Sequence, residues 1–254
     1  MLVPRGIASQ RRVSVTGIQQ RAGTAGRPFP GLARIDLGEI PYGDSAELMR
    51  GWVAECQSGA VGDRLFLLSH PPVVTYGPRT RPSDLPPAAA GLDVVQVDRG
   101  GQATYHGPGQ VVGYLIAHVA QRGPADVVRW LEQGIIAALA ALGFAAVRRQ
   151  TPPGGPSLVG VWTPDNRKIA SIGMRIRGGV SSHGFSVNVD PDMTVFGSFV
   201  SCGLTDPVTS LRVLAGERGR AAPGESAVRD ALATALGAAW RDQPAAGAGG
   251  LQRP

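Results

Sequence analysis

The sequence predicts an α+β domain built on a mixed β-sheet. Strand-like and helix-like segments are interleaved, but without the strict alternation of a doubly wound sheet. The segment 124–142 carries apolar residues at helical spacing, and 227–240 reads as a closing helix. Between 158 and 189 three strand-like segments follow one another directly, the pattern of an antiparallel meander. The chain is 254 residues long, 43% hydrophobic and 17% charged, which suits a globular protein with a sizeable core.

Taken in order, 32–37 reads as a first strand and Tyr42–Cys56 as a helix, with Asp44 or Ser45 as its N-cap. Residues 64–69 read as a strand running into His70–Gly77, a turn-rich polar corner. A Pro/Ala loop covers 83–91, and 93–98 alternates as a strand. Residues 111–117 form an apolar strand. Pro124 suits the first turn of the 124–142 helix and Gly143 its end. Residues 144–148 read as a strand and 151–157 as a loop. The meander comprises 158–163, 167–175 and 179–189, with turns at Asp165-Asn166 and Gly178-Gly179.

The formal net charge of +6 misleads. Arg5, Arg11, Arg12, Arg21 and Arg27 lie in an acid-free 1–30 segment, and Arg253 lies in the tail. The body from 31 to 242 is formally neutral, which argues against nucleic-acid binding. Residues 1–30 read as a flexible basic extension or a presequence, and 243–254 as a disordered Pro/Ala/Gly tail. The longest apolar run, 135–147, is too short to span a bilayer, so no membrane association is expected. Cys56 and Cys202 show neither metal nor disulfide spacing, which fits a reducing, cytoplasmic compartment. None of the four histidines forms a pair with zinc spacing, so no metal is expected.

The stretch Arg99-Gly100-Gly101-Gln102-Ala103-Thr104-Tyr105-His106-Gly107-Pro108-Gly109-Gln110 is a glycine-rich loop between two strands. Its glycines let backbone come close to a ligand, and Arg99, Thr104, Tyr105, His106 and Gln110 concentrate polar groups there. Lys168 is the only lysine, beside 24 arginines. Arginine keeps its proton at working pH, whereas a desolvated lysine can lose one and act as a base. Lys168 alternates with Ala170 and Ile172, which places it on an apolar strand face. Cys202 lies in an irregular segment, with the Gly203 N–H beside it as a possible oxyanion donor. Cys56, in a helix, reads as core.

Three blocks together resemble the lipoyl(octanoyl) transferases, also called lipoate-protein ligase B. They are the Arg99–Gln110 loop, Lys168-Ile169-Ala170-Ser171-Ile172-Gly173 followed by His183-Gly184-Phe185-Ser186, and Cys202-Gly203. Ser201 stands where that family usually has proline. The resemblance covers about 31–240. It implies a fold similar to the biotin and lipoate protein ligases. It implies transfer of octanoyl from octanoyl-acyl carrier protein to a lysine of an acceptor. The acceptors implied are lipoyl domains of 2-oxoacid dehydrogenase E2 subunits and the glycine cleavage H protein. Cys202 would be the thioester nucleophile, and Lys168 the group that favours its thiolate and serves as base. Substrate contacts would fall on Arg99–His106, Ser171, Ile172, Gly173, Gly184, Phe185 and Ser186, with His183 and Gly203 as further candidates. No cofactor is implied, and a monomer is expected. Arg79, Arg81, Arg148, Arg149, Arg175 and Arg177 would supply a basic rim for the acidic carrier. The competing readings are an ATP-dependent lipoate or biotin ligase, which has no need of Cys202, and a non-catalytic acyl-protein binding module.

Overall fold

The structure is a computed structural model and describes residues 31–241; the expected basic extension and tail lie outside them. The strands are β1 (Ala33–Glu39), β2 (Arg64–Ser69), β3 (Val73–Tyr76), β4 (Asp93–Gln96), β5 (Thr104–His106), β6 (Gln110–Ile116), β7 (Val161–Trp162), β8 (Lys168–Arg177) and β9 (Val180–Asn188). The helices are α1 (Tyr42–Gln57), α2 (Pro124–Ala141), α3 (Leu211–Gly216) and α4 (Glu225–Arg241). Six strands form one sheet in the order β1-β2-β6-β9-β8-β7, and three form a smaller sheet, β4-β3-β5. β1 and β2 are parallel, and the other pairs of the large sheet are antiparallel. The sheet is mixed because α1 carries the chain across between its first two strands, which a tight hairpin cannot do. The α+β expectation holds.

The large sheet is buried on both faces. Leu65 and Leu67 of β2 face α2 and α4, whereas Phe66 and Leu68 face α1. β6 does the same: Val111 and Leu115 join the first core, and Val112, Tyr114 and Ile116 the second. This explains why β2 and β6 read as continuous apolar runs rather than alternating ones.

Four local expectations change. The His70–Gly77 corner contains β3, which pairs with both β4 and β5, so the glycine-rich stretch itself holds a short strand. The predicted strand 144–148 reduces to one bridge, Val147 to Trp162, and 158–163 to the two residues of β7. Proline and glycine on either side leave those segments too short to pair further. Neither Asp44 nor Ser45 caps α1: the helix begins at Tyr42, with Pro41 before it and no side-chain cap. The Ser45 hydroxyl instead donates to the Tyr42 carbonyl. No helix among the described residues is long and apolar enough to cross a membrane.

Candidate active site

One cavity of about 520 Å³ opens where the two sheets meet. It falls within the size range of small-molecule sites. Lys168 and Cys202 both line it. So do Ser171, Ile172 and Gly173 of β8 and His183, Gly184, Phe185 and Ser186 of β9. From the glycine-rich stretch, Arg99, Gly100, Gly101, Gln102, Thr104 and His106 line it.

Ala103 and Tyr105 do not line the cavity, and the reason is the pleat. Successive side chains of an extended segment point to opposite faces, so Gln102, Thr104 and His106 turn one way and Ala103 and Tyr105 the other. Tyr105 packs with Val74, Ala103 and Phe199 instead. Gly203 also stays outside the lining, although a Cβ there would collide with the Gln102 side chain.

Arg99 shapes the loop from within. It is buried, and its guanidinium donates to the carbonyls of Gly100, Gln102 and Thr75 and to the Thr75 hydroxyl, all at 2.9–3.0 Å. The loop then lies across β8. The Gly100 N–H donates to the Met174 carbonyl at 2.9 Å, and a Cβ on Gly173 would sit 2.9 Å from the Gly100 carbonyl oxygen. Glycine at 173 is therefore required by close approach of two backbones.

Lys168 sits at the start of β8, opposite Trp162, and is 4% exposed. Its ammonium lies 5.1 Å from the centre of the Trp162 ring. The residues after Cys202 return to β8: the Lys168 N–H donates to the Pro207 carbonyl, and the Thr209 N–H to the Lys168 carbonyl. This backbone tie fixes the loop of the cysteine against the strand of the lysine.

Cys202 takes a left-handed backbone, φ 56°, ψ 17°, inside a short 3₁₀ turn, Ser201–Gly203. Its N–H donates to the Ala103 carbonyl at 2.7 Å, and the Gly203 N–H is directed to Val200 O at 3.4 Å. The expected oxyanion donor beside the thiol is therefore already engaged. The Ser171 hydroxyl lies 3.6 Å from the sulfur. Burial alone would raise the thiol's pKa. The Lys168 charge, hydrogen bonds from Ser171 and Lys168, and the Arg99 charge outweigh it, so the pKa is lowered. Cys56 shows the opposite: burial first, then the Asp63 charge, push its thiol up to about 11 against the opposing charge of Arg64.

The remaining walls were not legible in sequence. Tyr42 and Tyr114 line the cavity, and His70 stands behind them, bonded through Nε2 to the Tyr114 hydroxyl at 2.7 Å. Burial lowers the pKa of His70. His106 falls well below the usual value by burial and the charges of His70 and Arg99, and His183 falls to about 4 by burial and the charges of Arg99 and Arg175. These histidines are neutral at neutral pH. His183 bonds Asp98 at 3.0 Å through Nε2, and the buried Nδ1 atoms of His106 and His183 have no partner.

Two further expectations are modified. Of the six rim arginines, four are paired with carboxylates of the chain: Arg81 with Asp84, Arg148 with Glu132, Arg149 with Asp206 and Arg175 with Asp98. The rim is largely self-neutralised. Cys56, Asp63 and His118 come together despite their separation in sequence, with Cys56 Sγ 3.3 Å from His118 Nδ1. Asp63 also accepts from the His118 N–H and Trp240 Nε1, so the cluster ties α1, the segment after β6 and α4 together.

The family model of the lipoyl protein ligase A/B catalytic domain matches residues 41–236. The octanoyltransferase of Frankia casuarinae is 44% identical over 201 residues, covering 78% of this chain and 91% of the relative. That of Chloroflexus aurantiacus is 40% identical over 219 residues, covering 82% and 93%. Among solved structures, P. falciparum LipL1 with lipoate superposes with a TM-score of 0.65 at 11% identity, covering 85% of this chain and 64% of that one. The bipartite lipoate protein ligase of Thermoplasma acidophilum gives 0.56 at 16%, covering 82% and 84%. At such identities these two neighbours speak for the fold. The sequence relatives and the family model carry the rest: the chain belongs to the lipoyl protein ligase A/B catalytic-domain family and is an acyltransferase of octanoyl transfer in protein lipoylation.

Proposed function

We propose that the chain transfers octanoyl from octanoyl-acyl carrier protein to a lysine of a lipoyl domain through a thioester on Cys202. The observation that carries this is one cavity holding a buried lysine and a cysteine whose pKa that lysine helps to lower. Lys168 takes the thiol proton as the Cys202 sulfur attacks the thioester carbonyl. The new C–S bond forms, the carrier's C–S bond breaks, and the carrier's sulfur leaves with that proton. Thioester is exchanged for thioester, so no ATP is needed. The acceptor amine then attacks the acyl carbon and gives a proton to Lys168. An amide forms, and the Cys202 sulfur leaves as thiolate and regains the proton. One base serves both steps. The octanoyl chain lies against the apolar wall supplied by Val112, Ile172 and Phe185. The neutral histidines opposite offer hydrogen bonds without adding positive charge that would compete for the thiolate. An ATP-dependent ligase would leave Cys202 and its lowered pKa without a purpose.

The test is intact mass after mixing with octanoyl-acyl carrier protein. Wild type and Cys56→Ser gain one octanoyl group, and Cys202→Ser gains none. An adduct that survives Cys202→Ser removes the assignment.

A further inference from the structure

Glu132 belongs to none of the motifs above, yet it is 2% exposed on the inner face of α2. A buried ion pair is poor evidence of stabilisation, because apolar residues of similar size often serve as well. The two carboxylate oxygens act on different parts of the chain. One accepts from the Gly160 N–H at 3.1 Å, and the other from Arg148 Nε. Those two residues flank a small ladder in which Val147 and Trp162 exchange both backbone hydrogen bonds, at 2.7 and 3.0 Å. Glu132 therefore fastens both sides of that ladder to α2.

The ladder is the wall behind Lys168. Gly160 has φ 133°, and a Cβ there would lie 2.6 Å from the Ala170 carbonyl oxygen, 2.7 Å from Lys168 Cε and 3.3 Å from its Nζ. Trp162 follows and lays its ring by the ammonium. Between them the β7–β8 register slips by one residue, from Val161 opposite Ala170 to Trp162 opposite Lys168. Such a bulge re-aims a side chain, here the lysine. We propose that Glu132 is a positioning residue for the transfer reaction: by holding Gly160 it fixes the wall that aims Lys168 at Cys202. This rests on the reading of Lys168 given above.

Reach and charge are separable at position 132. Glu132→Gln keeps an oxygen within reach of the Gly160 N–H and loses the charge. Glu132→Asp keeps the charge and withdraws it by one methylene. The measurements are the pH midpoint of Cys202 alkylation by iodoacetamide, and single-turnover octanoyl transfer from acylated enzyme to a lipoyl domain. All proteins carry Cys56→Ser, so that one thiol is read. Glu132→Asp is expected to raise the midpoint by about one pH unit, because the ammonium no longer sits against the sulfur. It is expected to slow transfer at least about tenfold, as for a misplaced base, while Glu132→Gln stays within about threefold. A Glu132→Asp protein that matches wild type, or a Glu132→Gln slower than Glu132→Asp, overturns the positioning role. Should Glu132→Asp lose its cooperative melt, Glu132→Met, which fills the space but offers the Gly160 N–H no oxygen, takes its place: a raised midpoint with about a tenfold loss of transfer supports the role, and transfer within about threefold of wild type overturns it. Lys168→Ala separates the two levels. An unmoved midpoint there overturns the reading of Lys168 and this role with it. A moved midpoint beside an unmoved Glu132→Asp overturns this role alone.

Discussion

At the scale of single residues, the decisive distinction is between a cation and a base. Lys168→Arg keeps the positive charge beside Cys202, but arginine cannot supply a neutral amine. If Lys168 only stabilised the thiolate, the variant would retain much of its activity. As a base it must receive the acceptor's proton, and its loss costs on the order of 10²–10⁴ in rate. Single-turnover transfer from acylated Lys168→Arg enzyme is expected to be slower by that factor; transfer within about threefold of wild type would leave Lys168 an electrostatic partner only. His183, with its pKa near 4, is too weak a base to replace it at neutral pH. Lys168 and Cys202 were legible because they are chemical outliers: a single lysine in an arginine-rich chain and a cysteine beside a loop glycine. Tyr42 and Tyr114 were not, because an aromatic residue in an apolar context reads as core. The engaged N–H of Gly203 was also out of reach, since its direction depends on the left-handed turn at Cys202.

At the scale of elements, the site depends on one loop lying directly on one strand. Gly173→Ala puts a Cβ 2.9 Å from the Gly100 oxygen and 3.0 Å from Arg99 Cδ, with backbone on one side that cannot easily yield. The loop must lift, and the Gly100-to-Met174 hydrogen bond must lengthen. Gly173 lies at the edge of the fold's core, so the melting temperature of Gly173→Ala should fall by only a few degrees, equivalent to about 1–2 kcal/mol. Octanoylation of Cys202 should fall far more, by about tenfold or greater, because misplacement of about 1 Å at a reacting centre is enough for such losses. Equal losses in stability and acylation would mean that the loop contact serves folding only. The helices α1, α2 and α4 and most strands were legible from periodicity. β3 was hidden because two prolines and a histidine precede it, and it becomes a strand only through partners on both sides, β4 and β5. Pairing between distant segments leaves no local signature.

At the scale of the whole molecule, three buried histidines hold pKa values below those of the unfolded chain. The unfolded chain takes up their protons near pH 6.5, whereas the folded one does so only at lower pH, well below for His106 and near 4 for His183. Between about pH 6.5 and 4 the unfolded state binds more protons, so stability falls as pH falls. For His183, a displacement from 6.5 to about 4 corresponds to about 2 kcal/mol lost at pH 5. A fall of several degrees in melting temperature from pH 7 to 5 is expected for wild type. It should be smaller in His183→Asn, a residue that tolerates the same left-handed backbone, φ 58°. A flat profile in wild type would show that these rings accept protons in place. The division into a large and a small sheet could not be read from the chain, because it depends on where the long connections land rather than on what any segment prefers.

The left-handed turn at Cys202 has a consequence for how such a chain changes over time. An L-residue in that conformation costs roughly 1–2 kcal/mol, a penalty glycine does not carry. Within the fold alone, glycine would be the favoured occupant of position 202. A cysteine stands there against the preference of its own backbone, which the role proposed for it as the thioester nucleophile explains. On that proposal, a lineage with no need of the thioester would drift toward a better-folded, silent protein, and Cys202 would be among the first residues to go.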